Sequence, residues 1–434
     1  MRPLPLIALG LMLLAATPAG GAVAQPPGYG ESIAAAKGLM LAGRRDEART
    51  LLQQLATRYP DSNDVQFLLG LLALDAAEHD RAIAHFRSIL VRSPDAVRVR
   101  LELGRAFFLK RDYENAFRQF QFARAGNLPA GVGASIDRFV AAIRQQKDWS
   151  YSFSIALAPD SNINNGTSTG ETLIFGLPFE LSEDSRQRSG IGLAVDASAE
   201  FAPRVGERTR LRVGAAVQRR EHKGEDFDDM TLAVHAGPRI VAGRWDLSLL
   251  GSGFRRSFGG RTLSQGLGAR GEATRHIGPR SAASFGLSAH RLRYPDYRFQ
   301  DGWALSASAG ALTALTPAST LSARASVSRK SARLAELASW SGSLAAGYYR
   351  DLPGGFSLYA EPSFGIARYD AEDPFFFTRR KDKSLELRLA LLNRRIVLSR
   401  FTPRIGLTLA RRDSNIDIYD FSQRRVEVGL TSAF

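Results

Sequence analysis

The residues able to do covalent or metal chemistry are few in this sequence and poorly spaced for it. There is no cysteine, so no thiolate nucleophile, thiolate metal site, disulfide or lipidated N-terminal cysteine can form. The six histidines are His79, His85, His222, His235, His276 and His290. None has the H-E-x-x-H spacing that turns two ring nitrogens of one helix toward a single zinc. His290 follows an apolar set ending at Ala289 and reads as a lumen or rim residue. No G-x-S-x-G elbow or phosphate-cradling glycine loop appears in a fitting context. Asp160 to Thr167 reads DSNINNGT, acidic and rich in asparagine. It lacks the acidic ligand series of a calcium loop and reads as a turn. The sequence offers no catalytic residue, no metal set and no cofactor site, and points away from an enzyme.

Binding chemistry is what remains. Phe375, Phe376 and Phe377 stand together, directly before Arg379, Arg380, Lys381 and Lys383. Three consecutive phenylalanines are costly on a solvated loop. They can fold into a lumen, contact a passing polypeptide or touch lipid, while the cations suit phosphate groups such as those of lipopolysaccharide. Arg98, Arg105 and Phe108 form a second candidate set. The chain carries 58 basic against 43 acidic residues, a net charge of +15, which favours acidic partners.

The compartment narrows those partners. Arg2 supplies a positive start, Leu4 to Ala16 is apolar, and Ala22-Val23-Ala24 fits a cleavage site. This predicts a signal peptide over 1–24, its apolar run being shorter than the roughly 20 residues that span a bilayer. Export argues against nucleic acid. No later run is long enough for a transmembrane helix, so a membrane-embedded mature chain must close its strands into a barrel. Lipid cannot satisfy open backbone groups.

Residues 25–147 read as a helical-repeat domain. Ala48, Ala82 and Ala116 recur at a spacing of 34, and Leu52, Phe86 and Phe120 follow in the same register. Pro60 and Pro94, and the pairs Leu69-Gly70 and Leu103-Gly104, repeat likewise. The pattern resembles the tetratricopeptide unit. The glycines let paired helices approach, the alanines sit at the crossing, the larger side chains fill the groove, and the prolines end each second helix. Three units fit, roughly 29–62, 63–96 and 97–130. A capping helix follows, with Ile136, Phe139, Val140 and Ile143 on one stripe. Such stacks hold peptides in their concave groove, which Arg98, Arg105 and Phe108 would face as client-binding residues.

From Trp149 the period changes from 3.6 to 2. Trp149, Tyr151, Phe153, Ile155 and Leu157 alternate with small or polar residues, and similar sets recur to Val426, Val428, Leu430 and Phe434. Alternating segments of about ten residues, with Ser, Gly, Arg and Glu on the other face, fit a transmembrane barrel. The spacing predicts an antiparallel barrel over 148–434 with about fourteen strands. Short connections at 203–207, 242–244, 278–280, 316–319 and 352–355 alternate with longer ones at 159–188, 221–229, 255–261, 294–301, 330–337 and 368–382. Barrels have short periplasmic turns and longer external loops, so the repeat domain is expected in the periplasm. The phasing at 393–403 calls for a bulge or a longer turn. Phe434 ends the last strand, and a terminal aromatic there suits the signal read by the barrel assembly machinery.

Repeats plus barrel resemble the Slam family, the surface lipoprotein assembly modifiers. The matching stretches are Ala158-Pro-Asp-Ser-Asn-Ile-Asn-Asn165, Leu391-Leu-Asn-Arg-Arg-Ile-Val-Leu398, Phe401-Thr-Pro-Arg404, Arg412-Asp-Ser-Asn-Ile416, Tyr419-Asp-Phe421 and Arg425-Val-Glu-Val-Gly-Leu430. The resemblance implies an outer-membrane translocator for client proteins, either surface lipoproteins or secreted proteins for haem or metal capture. Its other expected partners are outer-membrane lipids, lipopolysaccharide and the barrel assembly machinery, and the expected state is a monomer. Two other readings stay open. Polysaccharide exporters also join tetratricopeptide units to a barrel but usually carry many more repeats. A passive porin-like channel needs no repeat domain.

Overall fold

Helix-breaking residues cut the first part of the chain into short helices at regular intervals. The computed structural model describes residues 28–432 apart from 127, 129–130, 147, 279, 397 and 399–400. The signal segment 1–24 and Phe434 therefore lie outside the described residues. Seven helices follow one another: α1 (Tyr29–Leu41), α2 (Arg45–Arg58), α3 (Asn63–Asp75), α4 (His79–Arg92), α5 (Val97–Leu109), α6 (Tyr113–Arg124) and α7 (Val132–Gln146). α2 stops two residues before Pro60 and α4 two before Pro94. Ser62 caps α3 by accepting from the Val65 N–H, and Asp112 caps α6 through Asn115, each satisfying an otherwise orphaned amide.

The repeat residues do the packing their spacing implies. Ala48, Ala82 and Ala116 are fully buried, as are Leu52 and Phe86, and Phe120 is nearly so. A Cβ on Gly70 would lie 2.6 Å from the Phe86 ring, and one on Gly104 2.9 Å from Phe120. Each aromatic therefore presses directly onto the backbone of the preceding helix. Ile136, Val140 and Ile143 of α7 join the same core as Phe107 and Phe120.

The rest of the chain forms a closed antiparallel barrel of fourteen strands. They are β1 (Trp149–Asp160), β4 (Gly190–Phe201), β5 (Thr209–His222), β6 (Asp229–Ala242), β7 (Trp245–Phe258), β8 (Arg261–His276), β9 (Ser281–Arg293), β10 (Gly302–Thr316), β11 (Ser319–Lys330), β12 (Ser339–Asp351), β13 (Phe356–Asp373), β14 (Thr378–Asn393), β15 (Thr402–Ser414) and β16 (Phe421–Thr431). A separate hairpin, β2 (Glu171–Ile174) and β3 (Leu177–Glu180), lies within the first long connection. β1 pairs with β16 to close the cylinder. Closure satisfies every strand edge, which hydrocarbon requires.

Alternation places the side chains. Leu157, Ile191, Leu249, Leu267, Leu287 and Leu344 are more than half exposed on the outer surface, as expected of a lipid-facing band. Trp149 and Trp245 mark the end nearest the helices, and Trp303 and Trp340 mark the far end.

Two connections differ from the sequence reading, and a third takes one of the two forms it left open. The expected longer loop at 255–261 is a two-residue turn, Gly259-Gly260, both with positive φ, the conformation a tight hairpin turn demands. The expected loop at 368–382 is mostly strand: β13 and β14 run on as a ribbon, and only 374–377 turn. The basic run Arg379 to Lys383 thus lies on β14. Third, the uncertain segment near 393–403 is a longer connection, 394–401, on the helical side.

The two halves respond differently to truncation. Phe86→Ala should lower the stability of the helical domain by about 3–5 kcal/mol, the range for emptying a buried aromatic site. It would appear as an earlier loss of helical far-UV dichroism in the full-length protein in detergent. Leu267→Ala, on the exposed face, should leave that transition in place.

Candidate functional site

The helical stack sits on the barrel through one buried ion pair. Arg100 of α5 and Asp351 at the end of β12 meet at 2.7 Å, with side chains only 1% and 2% exposed. Buried charges of this kind need hydrogen-bonding partners, and each nitrogen of the guanidinium has one. Arg100 also donates to the Pro94 carbonyl at 2.9 Å and to Gln119 at 3.0 Å. Asp351 accepts from the Ser357 and Tyr349 hydroxyls and pairs with Arg394 at 3.3 Å. Burial pushes the Arg100 guanidinium below its usual value, and Asp351 pulls it back up.

Aromatic and backbone contacts widen this dock. The Arg100 guanidinium lies 4.7 Å from the centre of the Phe122 ring, and Phe122 stacks on Tyr349 with centroids 5.9 Å apart. Arg280, in the β8–β9 turn, donates to the Arg124 and Gly126 carbonyls at the end of α6. Helices α4 to α6 therefore rest on the turns that follow β8, β10 and β12. The helical domain is held at the mouth of the barrel by one side of its rim.

Inside the barrel the inward positions carry paired charges. Arg212 bridges Glu200 and Glu272, each at 2.8 Å, and His235 shares Glu200 at 2.8 Å. Glu427 is approached by Arg220, Arg404 and Arg425. Charged inward positions of this kind are the interior expected of a transmembrane barrel with a polar lumen.

Among the described residues the closing seam between β1 and β16 is fastened by different contacts at its two ends. At the far end the DSNINNGT stretch forms a clasp. Asp160, Asn162 and Thr167 are buried. Gln423 donates to Asp160 and to the Asn162 carbonyl, Asn162 donates to the Ser422 carbonyl, and Ser161 and Arg424 exchange two bonds. Thr167 reaches the Asp417 carbonyl at 3.0 Å. At the helical end the last described contacts are the three bonds between Ser432 and Phe153.

The candidate residues fall in two places. On α5, Arg98 lies 4.5 Å over the Phe67 ring and Arg105 pairs with Glu102 at 3.6 Å. Positions 98, 102 and 105 share one helix face, and burial pushes the Glu102 carboxyl up against the pull of Arg105 and Arg98. Phe108 packs on Tyr113 and Phe139. At the far rim, Phe375 and Phe377 flank Phe175 of the β2–β3 turn, with centroids 5.6 and 5.7 Å apart. Both stay more than half exposed, and Phe376 is partly buried. Arg100 and Asp351 were not among the residues singled out from sequence, and DSNINNGT was read as a turn without its partners across the seam.

Comparison with known proteins places this architecture. The family model described as "Surface lipoprotein assembly modifier" matches residues 149–434, and a tetratricopeptide model matches 33–96 and 70–128. The chain is 25% identical to "Surface lipoprotein assembly modifier 1" of Neisseria meningitidis, over 84% of this chain and 75% of that protein. It is 25% identical to "Surface lipoprotein assembly modifier" of Moraxella catarrhalis, over 54% of this chain and 46% of that one. "Hemophilin secretion modulator" of Acinetobacter baumannii is 22% identical over 85% and 78%.

The dock makes a double-substitution test possible. Arg100→Met should leave Asp351 underpaired and weaken the dock by about 3–5 kcal/mol, the usual effect of removing one partner of a buried pair. Limited proteolysis of the full-length protein should then cut the 127–148 junction far faster. Adding Asp351→Leu should recover most of the loss, because apolar replacement of both partners is often neutral. No recovery would mean the pair is not what holds the dock.

Proposed function

The chain belongs to the surface lipoprotein assembly modifier family, and from that premise we propose that it moves client proteins across the outer membrane. It resides in that membrane, with its helical domain in the periplasm. Its role is in the surface assembly of lipoproteins or of related secreted proteins such as hemophilin. The helical domain gathers an incompletely folded client, with Arg98, Arg105 and Phe108 as contact residues. The barrel passes the client outward, and Phe375, Phe376 and Phe377 meet it at the far rim. Phe434 serves the barrel assembly machinery as its recognition signal.

The observation that carries this reading is the buried dock of Arg100 on Asp351. It fixes a peptide-binding type of scaffold at the periplasmic mouth of a polar lumen, where a client leaving the groove would enter. A passive channel has no use for such a fixture. The periplasm supplies no ATP, so folding of the client outside is the source of drive. During passage, client strands pair transiently with the edges of β1 and β16. Strand addition satisfies main-chain groups whatever the client sequence.

Protease shaving of a co-expressed client lipoprotein tests the reading. Surface exposure should require the barrel; unchanged display from a barrel-deleted chain would sink the proposal. The seam is tested separately, since the cysteine-free chain gives a clean background. Leu157 and Val428 are direct partners across β1 and β16, and Leu287 and Ala307 are direct partners across β9 and β10. Directly opposed strand residues lie about 4.5–5.5 Å apart, within reach of a disulfide. Oxidised Leu157→Cys/Val428→Cys should stop display until reduced, while Leu287→Cys/Ala307→Cys should not. Export through the locked seam would confine the route to the closed lumen.

A further inference from the structure

The ribbon of β13 and β14 carries two kinds of cation. The inward ones are neutralised at home. Arg380 forms two bonds with buried Asp382, at 2.9 and 2.7 Å, and lies over the rings of Tyr369 and Tyr419. The outward ones are not. Arg368, Lys381 and Lys383 are exposed, and none has a salt-bridge partner among the described residues. Arg368 and Lys381 are direct cross-strand partners, an arrangement of like charges that weakens a sheet unless an anion lies between them. Nearby outward cations are paired differently: Arg329 with Asp370, and Arg411 with Asp413.

Their depth in the membrane follows from register. Trp340 is the direct partner of Arg368 on the other side, and tryptophan marks the headgroup level of a spanning barrel. Below them on the same face, Phe364, Ile366 and Leu385 are exposed toward acyl chains. A free anion would meet only the cations. An amphiphile with phosphate at the level of Trp340 and chains along Phe364, Ile366 and Leu385 would fill the whole surface. We infer that the outer face of the β13–β14 ribbon is a binding site for a phosphorylated, multiply acylated lipid of the outer leaflet, the chemistry of lipid A. Arg368 and Lys381 hold one phosphate between them, and Lys383 extends along its stem to the same level. The site is independent of client export.

Native mass spectrometry of the delipidated full-length protein in mild detergent tests this, with bisphosphorylated lipid A as the probe. The wild type should retain lipid A and not phosphatidylcholine. Arg368→Ser and Lys381→Ser should each reduce retention roughly fivefold, the scale of one basic residue at an anionic membrane surface. The double variant should lose nearly all of it. Lys223→Ser, an exposed cation on the β5–β6 loop, should change nothing. The unheated, fast-migrating form on a gel checks that each barrel is folded. Undiminished retention by a folded double variant would overturn the assignment, and so would equal loss in Lys223→Ser. Complete displacement by excess inorganic pyrophosphate would also overturn it, because a free anion would then suffice.

Discussion

Everything on the periplasmic side of this protein depends on one pair of charges removed from water. Moving a guanidinium and a carboxylate out of solvent is costly, and the loss is offset only when good geometry and further hydrogen bonds accompany the pairing. Arg100 and Asp351 meet that condition with partners from both domains: Pro94 and Gln119 on the helical side, Tyr349, Ser357 and Arg394 on the barrel side. The pair therefore forms in one relative placement. A slide of α5 by a single turn would strand both charges. Because α3 to α7 share one apolar core, fixing α5 fixes the later helices as a body. An apolar contact of similar area would have tolerated small shifts.

The barrel answers to a different constraint. Hydrocarbon forbids an unpaired strand edge, so the wall must close where the two ends of the barrel sequence meet, at β1 and β16. That seam is reinforced where the first long connection crosses it, through Asp160, Asn162 and Thr167. The inward charges are paired with one another across neighbouring strands, and Arg212 alone links β4, β7 and β8. Such pairs keep the lumen polar while each paired charge is offset by its neighbour.

Periodicity made most of this legible in the sequence. The 34-residue register located Ala48, Ala82, Ala116 and their larger partners, because those contacts lie between helices adjacent in the chain. The period of two located the strands, because each outward side chain answers only to lipid. Contacts between distant segments left weaker traces. Arg100 sits on the buried stripe of α5 with Val99, Leu103 and Phe107, and a charge on an apolar stripe is the one sign that it has a partner. Nothing local says that the partner is Asp351. DSNINNGT reads as a turn, and its clasp function depends on Gln423 some 260 residues away. The length of the β13–β14 ribbon was hidden because charged residues on an exposed strand extension look like loop residues.

The dock and the seam are joined by one segment. Arg394 opens the 394–401 connection and shares Asp351 with Arg100. Phe401, at the other end of that connection, packs edge-on against Phe153 of β1, with ring centroids 5.9 Å apart. Phe153 is also the residue that Ser432 ties to the end of β16. From the helical domain to the closing strands there are thus four steps: Arg100, Asp351, Arg394 and then Phe401 against Phe153. Burial sets what this chain transmits. Asp351 cannot lose Arg100 without drawing more heavily on Arg394, since a buried carboxylate with an empty site is the costlier state. Arg394 and Phe401 thus bring the dock and the seam to the two ends of one connection. The far end of that seam is held by separate bonds to residues of the first long connection.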